Sequence, residues 1–163
     1  MRPFIFLLVT VMLFTGTLQA QIVSGKTGIS RTSNLDPTSW SYEVKKLDRN
    51  EYELIFKVTL SDGWHIFSQT PGDSFLIPPS FIFDENKTVK MLGGLTETGK
   101  LIETTFEGVD GKVRYFEGTV AFIQKIAYTG TATTISGEHR YQICNDRMCL
   151  PPVDRKFEFK IQK

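Results

Sequence analysis

The stretch Glu51-Tyr52-Glu53-Leu54-Ile55-Phe56-Lys57-Val58-Thr59-Leu60 alternates apolar side chains with mostly polar ones. The apolar set falls on every second residue: Tyr52, Leu54, Phe56, Val58 and Leu60. Because successive side chains of an extended chain point to opposite sides, this spacing places the apolar set on one face. The stretch therefore predicts a β-strand with one buried face and one face toward solvent.

Turn residues bound this strand on both sides, and the same pattern continues along the chain. Asp48-Arg49-Asn50 precedes it and Asp62-Gly63 follows it, and both are typical of tight turns. Further short segments of alternating or apolar character are predicted as strands: 42–47, 64–69, 81–83, 89–92, 101–106, 113–116, 120–127, 131–135, 139–144 and 157–161.

The predicted fold class is all-β. No apolar stripe recurs at helical spacing over three turns, whereas Gly, Thr and aromatic residues are plentiful. About eight to ten short strands separated by regular turns are typical of an antiparallel sandwich. An immunoglobulin-like β-sandwich is the first expectation for the topology, and a jelly roll is the second.

The amino-terminal segment has the order of a secretory signal peptide. Arg2 supplies a positive charge, residues 4–14 are apolar but too few to span a bilayer, and a small residue, Ala20, stands at the expected cleavage site. Residues 21–37 are rich in Ser, Thr and Gly without periodicity, and they predict a flexible lead-in. Residues 38–163 are expected to form one exported domain.

Charge and composition exclude several classes of function. The chain has 19 basic and 18 acidic residues, and the signal peptide holds one base, Arg2, and no acid, so the processed chain is formally neutral. Neutrality argues against nucleic acid or an anionic membrane as the main partner. No later apolar run is long enough for a transmembrane helix, so a soluble product is expected. No Ser/His/Asp set, phosphate loop or paired carboxylates support a hydrolase or a transferase.

Cys144 and Cys149 are the only two cysteines of the chain. In an exported protein such a pair is expected to form a disulfide, and most such bonds are structural. The intervening residues 145–148 favour a turn, and Pro151-Pro152 prevents regular pairing just beyond it, so a hairpin brings the sulfurs together. Closing so short a loop restricts the unfolded chain by only about 2 kcal/mol. A structural staple and an exchangeable bond both remain open on these grounds.

Two other uses of the cysteines fit less well. A thioredoxin-type site has Cys-x-x-Cys at the start of a helix, whereas this spacing is wider and no helix is predicted after it. A zinc site would need His65 and His139 to join the cysteines, but the spacing is not that of zinc ligands, and strand alternation turns His139 away from Cys144. Both histidines are instead expected to be ordinary surface residues of the sheet.

The residues around the cysteines resemble a known family. Tyr141-Gln142-x-Cys144 followed by Cys149-x-Pro151-Pro152 is similar to the amino-terminal periplasmic domain of the thiol:disulfide interchange protein DsbD, including the forms called the disulfide bond corrector (DsbC-like) family. Residues 62–67 resemble that family's Asp-Gly-aromatic strand, and residues 104–108 fall where its cap loop lies. The resemblance extends from about residue 40 to residue 161.

The resemblance implies an immunoglobulin-like domain whose Cys144–Cys149 pair cycles between disulfide and dithiol without a bound cofactor. It implies a membrane-embedded DsbD-type electron donor and periplasmic thioredoxin-like acceptors, among them disulfide isomerases and cytochrome c maturation factors. The chain would then be a periplasmic component of a thiol:disulfide interchange oxidoreductase. The different class of function that stays open is a secreted immunoglobulin-like interaction module with a purely structural hairpin disulfide.

The resemblance also implies a shield around the two sulfurs. Phe106 matches the aromatic residue that caps the cysteines, and His65, Phe67 and Tyr141 match positions around them. A ring over a reducible disulfide would exclude small thiols and move aside when the proper partner docks. The alternative is that Phe106 and Phe67 are simply core residues, since large aromatic side chains are normally buried. His65 stands where the best-known members have tyrosine.

Overall fold

The computed structural model describes residues 36–72 and 75–162, and these residues form an all-β domain. Its nine strands belong to the compact unit Asn34–Lys163. In chain order they are β1 (Thr38–Lys46), β2 (Glu51–Leu60), β3 (His65–Phe67), β4 (Ser80–Phe83), β5 (Val89–Thr104), β6 (Val113–Tyr128), β7 (Ala132–Tyr141), β8 (Ile143–Cys144) and β9 (Val153–Gln162). Within this described part of the chain, no helix is long and apolar enough to cross a membrane.

The strands form two antiparallel sheets. The larger sheet has the order β1-β2-β6-β3-β8, and β5 pairs with the opposite edge of β6. The smaller sheet has the order β4-β7-β9. Since β6 pairs with β2 along one half and with β3 along the other, it is the strand that links the main sheet to the cysteine hairpin. This arrangement is an immunoglobulin-like antiparallel β-sandwich, as the sequence predicts.

The stretch 51–60 supplies the centre of the core, as its alternation predicts. The five predicted inward side chains of β2 are all at most 5 % exposed. Phe56 lies between the sheets, with its ring centroid 4.6 Å from that of Phe81 on β4 and 4.8 and 5.0 Å from those of Phe157 and Phe159 on β9. Aromatic pairs at such distances add to the free energy gained by area burial, so this cluster holds the two sheets together.

Two predicted strand breaks are wrong. Segments 89–92 and 101–106 belong largely to the one strand β5, and segments 113–116 and 120–127 both belong to β6. Residues 93–94 and Gly99 lie at register shifts of the β5–β6 pair, where extra residues are accommodated without ending the strand. Gly118 stays within β6 at φ 69°. Gly93, Gly94, Gly99 and Gly118 therefore mark irregularities inside long strands and do not end them.

The predicted strand 139–144 is instead divided between the two sheets. β7 ends at Tyr141 in the smaller sheet, and β8 begins at Ile143 in the larger one. Strict alternation along one strand would turn Cys144 away from the side of Ile143, toward solvent. Because the chain changes sheets at Gln142, both Ile143 and Cys144 are buried, each at 2 % exposure, in two different apolar clusters.

A polar network joins the two sheets next to the beginning of β1. Asp36 accepts hydrogen bonds through Oδ2 from the Tyr141 hydroxyl and from Arg155 Nη2, both at 2.6 Å. Thr38 donates to the other carboxylate oxygen. Burial opposes ionisation of Asp36, but these hydrogen bonds and the Arg155 charge outweigh it and lower the pKa of the carboxyl. Asp36, the second-last residue of the predicted lead-in, is thus anchored to the sandwich.

Candidate functional site

The two cysteines form a disulfide within a short antiparallel hairpin. The Cys144–Cys149 bond joins residues whose Cα atoms are 3.9 Å apart, and the two residues also form an isolated antiparallel bridge. Leu150 donates its backbone N–H to the carbonyl of Ile143 at 2.9 Å, which closes the hairpin outside the disulfide. The expected pairing of the cysteines across a hairpin is confirmed.

Asn145 shapes the turn between the cysteines. Its side-chain Oδ1 accepts hydrogen bonds from the backbone N–H groups of Arg147 and Met148, both at 2.9 Å. Its own backbone N–H donates to the Met148 carbonyl, also at 2.9 Å. An Asn side chain that bonds to the backbone two and three residues ahead mimics a backbone turn. The turn that Asn145 forms thus helps to hold the two sulfurs at bonding distance.

The two sulfurs have unequal access to solvent. Cys144 is only 2 % exposed, whereas Cys149 lies in the exposed part of the hairpin. Cys144 is the last residue of β8, which pairs with β3 in the larger sheet, while Cys149 lies beyond the turn and outside any named strand. An attacking thiolate from another protein can therefore approach Cys149 far more easily than Cys144.

Cys144 belongs to a small apolar cluster that is separate from the main core. Its buried members are Phe67, Val113 and Cys144. The half-buried side chains packed against them are Leu76, Phe106, Val109 and Tyr115. Three separate parts of the chain thus meet at this sulfur: the end of β3 with the loop after it, the β5–β6 connection, and β8. The cluster gives the buried sulfur a surrounding of low polarity.

The β5–β6 connection presents Phe106 to the cysteines. Val109 donates its backbone N–H to the Phe106 carbonyl at 3.2 Å, which forms a tight turn. Gly108 occupies the turn with φ 80°, a left-handed conformation that glycine adopts without strain. Lys112 forms an ion pair with Glu103 at 2.5 Å across the base of the connection. Phe106 is half-buried, packs against the cluster that contains Cys144 and lines the cleft.

His65 lies directly beside Cys144. The two residues are partners in the β3–β8 pairing, and partners in an antiparallel pair present their side chains on the same face. The imidazole is 5 % exposed, with Tyr115 and Phe106 ring centroids 4.4 and 6.1 Å away. Burial lowers the pKa of His65, and the Glu117 and Asp146 carboxylates oppose this effect only in part.

A cleft of about 530 Å³ gives access to the disulfide. It is lined by His65, Phe67, Leu76, Phe106, Glu107 and the hairpin residues Cys144, Asn145, Asp146, Arg147, Met148 and Cys149. Five of the six residues that the sequence and the resemblance point to are therefore brought together here: Cys144, Cys149, Phe106, His65 and Phe67. Their roles in catalysis or shielding stay predictions.

Tyr141 does not join this group. It is fully buried in the main core, and its hydroxyl bonds to Asp36 and accepts from Arg155 Nε at 2.8 Å. The reason is side-chain alternation, because Tyr141 and Ile143 both face the main core, whereas Cys144 faces the separate cluster. Its place in the sequence motif is thus close to the cysteines, but its contacts belong to the fold.

The expectation that both histidines lie on the sheet surface is wrong. His139 is fully buried between the sheets, where its Nε2 lies 2.8 Å from the Tyr42 hydroxyl. Burial, followed by the positive charge of Arg155, lowers the pKa of His139 to about 4. Rings from both sheets surround His139, whereas His65 is covered by Phe67, Tyr115 and Phe106, so neither histidine lies on the surface. Among the described residues, no group of three or more His, Cys, Asp and Glu residues is placed to hold a metal ion.

Several residues of the site are missed by sequence reasoning. Tyr115 pairs with Phe67, and Glu117 pairs with His65, because β3 lies against the first half of β6. Leu76 reaches the cleft from the loop after β3. Only Asp146 carries a sequence signal, since it lies between the cysteines. The others are distant in sequence, and nothing local to them indicates which strand they join.

Comparisons with known structures agree with the fold. The N-terminal periplasmic domain of ScsB from Proteus mirabilis matches with a TM-score of 0.57 and 12% identity, over 76% of this chain and 46% of that one. The reduced DsbD N-terminal domain from Neisseria meningitidis matches with a TM-score of 0.50 and 17% identity, over 76% of this chain and 86% of that one. This chain thus spans under half of the ScsB domain. At these identities the likeness shows the fold alone. No curated protein sequence matches this chain significantly.

A family match covers nearly the whole described domain. The family described as "Thiol:disulfide interchange protein DsbD, N-terminal" matches residues 34–161, which include both cysteines and all nine strands except the last residue of β9. Together with the Cys144–Cys149 disulfide, this match supports thiol:disulfide exchange as the general chemistry of the site. The chain belongs to the family of the N-terminal domain of the thiol:disulfide interchange protein DsbD.

Proposed function

We propose that this protein carries electrons in the periplasm by reversible opening of the Cys144–Cys149 disulfide. The observation that carries the proposal is the unequal placement of the two sulfurs: both cysteines line one cleft, but Cys149 is exposed and Cys144 is buried. A purely structural bond needs no access route. An exchangeable bond needs one accessible sulfur to be attacked and a second sulfur to resolve the intermediate.

Reduction proceeds in two exchange steps. A donor thiolate attacks Sγ of Cys149, so that a bond forms between donor and Cys149 while the Sγ–Sγ bond breaks and Cys144 leaves with the electron pair. A second donor thiolate then attacks the donor sulfur of this mixed disulfide, which releases Cys149 and leaves the donor oxidised. Each released thiolate takes up one proton, so two electrons and two protons enter the chain.

Oxidation by an acceptor is the reverse. The Cys149 thiolate attacks the acceptor's disulfide and forms a mixed disulfide. Cys144 then attacks Cys149 Sγ and expels the acceptor's sulfur, which re-forms the intramolecular bond. The short hairpin favours this last step because the Asn145 turn already holds the two cysteines at bonding distance.

The donor is proposed to be a membrane-embedded DsbD-type protein, and the acceptors are proposed to be periplasmic thioredoxin-like proteins, including isomerases and cytochrome c maturation factors. No helix of the described residues begins at either cysteine, so neither thiol gains the pKa lowering that a helix amino terminus provides. The chain therefore relies on partners that bring their own activated thiolates, and thioredoxin-like proteins have such thiolates.

The test is exchange with a reduced thioredoxin-like oxidoreductase, followed by gel-shift alkylation of the free thiols. We expect both Cys144 and Cys149 to become alkylated. In the reverse direction, a Cys144→Ser chain is expected to form a mixed disulfide through Cys149 when it is mixed with the oxidised form of the partner, because the Cys149 thiolate attacks the partner's disulfide and no Cys144 thiol remains to release it. If the bond stays oxidised while the same partner reduces another known substrate, the carrier function is wrong.

A double Cys144→Ser/Cys149→Ser chain separates exchange from a structural role. The carrier function predicts complete loss of exchange with a decrease in stability of about 2 kcal/mol, because the bond closes only a small loop. An interaction module with a structural disulfide predicts loss of folding instead. Chemical unfolding of the variant and of the parent, both monitored by circular dichroism, measures the difference.

A further inference from the structure

His65 and Cys144 are matched across two strands that are far apart in the sequence. They are Cα partners in the β3–β8 pair, and both are at most 5 % exposed. Directly opposed side chains on one face have Cβ atoms about 4.5–5.5 Å apart, within reach of an imidazole and a sulfur. His65 is therefore the titratable side chain that the sheet places against the buried sulfur, and both residues line the same cleft.

The buried sulfur has a chemical requirement that the exposed one lacks. When the disulfide opens, Cys144 leaves as a thiolate inside a cluster whose other members include Phe67 and Val113. Burial in such surroundings disfavours the charged form and raises the pKa of a thiol. A leaving thiolate of high pKa departs slowly, so the exchange needs a proton or a positive charge near this sulfur.

The charged groups around His65 allow it to change protonation state. Glu117 lies opposite His65 on β6, and Asp146 lies in the cysteine turn; both carboxylates favour the imidazolium. Tyr115 packs against the ring, and burial raises the pKa of its hydroxyl, which keeps it protonated near neutral pH. Two further charged residues, Glu107 and Arg147, line the same cleft. Burial still keeps His65 neutral while the disulfide is closed.

We propose that His65 is the acid–base partner of Cys144, taking up a proton as the disulfide opens and holding it against the departing sulfur. This inference rests on the proposed exchange function and assigns a role within that same site. The negative charge that develops on Cys144 Sγ raises the proton affinity of the adjacent imidazole. The proton comes from the solvent, and the electron pair of the broken bond stays on Cys144 Sγ, so that an imidazolium faces a thiolate. During oxidation this thiolate attacks Cys149 Sγ, and the imidazolium returns its proton to the solvent as the negative charge on Cys144 disappears.

The first test measures Cys144 alone. A Cys149→Ser chain has a single thiol, and the ultraviolet absorbance of its thiolate against pH gives the ionisation of Cys144. We expect the thiolate to form at a pH at least about one unit lower than in a Cys149→Ser/His65→Phe chain, a tenfold difference in the ionisation constant. Identical titration curves for the two chains would overturn the inference.

The second test measures the rate at which dithiothreitol reduces the oxidised chain as a function of pH. His65→Phe and His65→Gln are both expected to react at least about tenfold more slowly than the parent near neutral pH. This factor is smaller than the rate factors usual for general acid–base catalysis. His139→Phe is the matched control, because it removes the other histidine of the chain, which is buried in the main core and does not line the cleft. It is expected to keep the parent profile.

The outcomes keep this inference separate from the proposed function. If His65→Phe folds and reacts at the parent rate at every pH, the role of His65 is wrong, whereas exchange with a protein partner is unaffected. If the parent thiolate titration depends on His65 but no reduced thioredoxin-like protein opens the disulfide, the acid–base pair stands and the carrier function is wrong. His65→Gln separates the loss of the titratable group from a change in packing. Phe and Gln differ in shape and polarity, and what the two variants share is that the side chain no longer titrates.

Discussion

At the scale of single residues, we expect the ring of Phe106 to limit which thiols reach the disulfide. It packs against the cluster that contains Cys144 and lines the same cleft as Cys149. Because it is only half-buried, it can move without disturbing the main core. A docked partner can therefore displace it at small energetic cost, whereas a small thiol gains too little binding energy to do so.

Phe106→Ala is expected to speed reduction of the disulfide by glutathione several-fold, because it removes the ring that covers the sulfurs. Exchange with a protein partner should change much less, since the partner displaces the ring in any case. Stopped-flow mixing followed by alkylation measures both rates. Leu101→Ala is the control, as it removes an exposed apolar side chain from the last part of β5 that does not line the cleft. Equal glutathione rates in Phe106→Ala and the parent would show that Phe106 is not a shield.

At the scale of elements, the cysteine hairpin is stabilised by its own turn more than by the rest of the domain. β8 has only two residues, and its partner β3 has three. The hydrogen bonds of Asn145 are therefore a large part of what keeps Cys149 near Cys144 once the disulfide is open. Gln142 adds a bond from its side-chain amide to the Leu150 carbonyl at 3.0 Å.

Asn145→Ala is expected to make the disulfide easier to reduce. It removes two hydrogen bonds, each worth roughly 0.5–1.5 kcal/mol, so the equilibrium with glutathione should shift toward the dithiol by about tenfold. Asn145→Asp keeps the acceptor oxygen and should stay close to the parent. The fraction of dithiol is measured by alkylation across a series of glutathione redox buffers. An unchanged equilibrium in Asn145→Ala would mean that the sheet, not the turn, positions Cys149.

At the scale of the whole molecule, a buried histidine makes the stability of the sandwich sensitive to acid. His139 lies between the sheets, with ring centroids of Trp40 and Phe81 at 4.3 and 5.7 Å. Its Nδ1 has no hydrogen-bond partner among the described residues, and its pKa is lowered to about 4. The folded domain thus holds this imidazole neutral over a pH range in which the unfolded chain protonates it.

The titration of His139 is expected to lower the free energy of unfolding by about 2 kcal/mol between pH 7 and pH 5. The sign follows because the unfolded histidine, with its ordinary pKa of 6.5, binds a proton before the folded one does. The stability that depends on neutral His139 is present above pH 6.5 and is lost as the pH falls from 6.5 toward 4. His65 adds to this loss in the same direction, because its pKa is also lowered.

His139→Phe isolates this contribution in urea unfolding of the oxidised chain at the two pH values. A phenyl ring fits the aromatic cluster and does not titrate, so the variant should lose distinctly less stability than the parent between pH 7 and pH 5. Tyr42→Phe is the matched control, as it removes the hydroxyl beside His139 Nε2 but keeps the imidazole, and its pH dependence should resemble that of the parent. An equal loss in His139→Phe and the parent would show that other groups cause the acid sensitivity.

The sequence by itself determined the features that depend on neighbouring residues. The alternation of residues 51–60 predicted a half-buried strand, the turn residues predicted an all-β sandwich, and the residues between Cys144 and Cys149 predicted a disulfide hairpin; all three are confirmed. The motif around the cysteines also indicated the family, because a motif of neighbouring residues is itself a local signal. Side-chain alternation and turn formation are local effects, so they can be read without knowing the fold.

Only the tertiary structure decided what surrounds each sulfur. The change of sheet at Gln142 placed β8 beside β3 in the larger sheet, where Cys144 is buried in its own apolar cluster and His65 is its pairing partner. The physical reason is that strand partners are chosen by the packing of the whole sandwich, so residues distant in sequence become neighbours. Burial in turn sets the pKa of His65 and the access to Cys149, and both are properties of that packing and not of the residues alone.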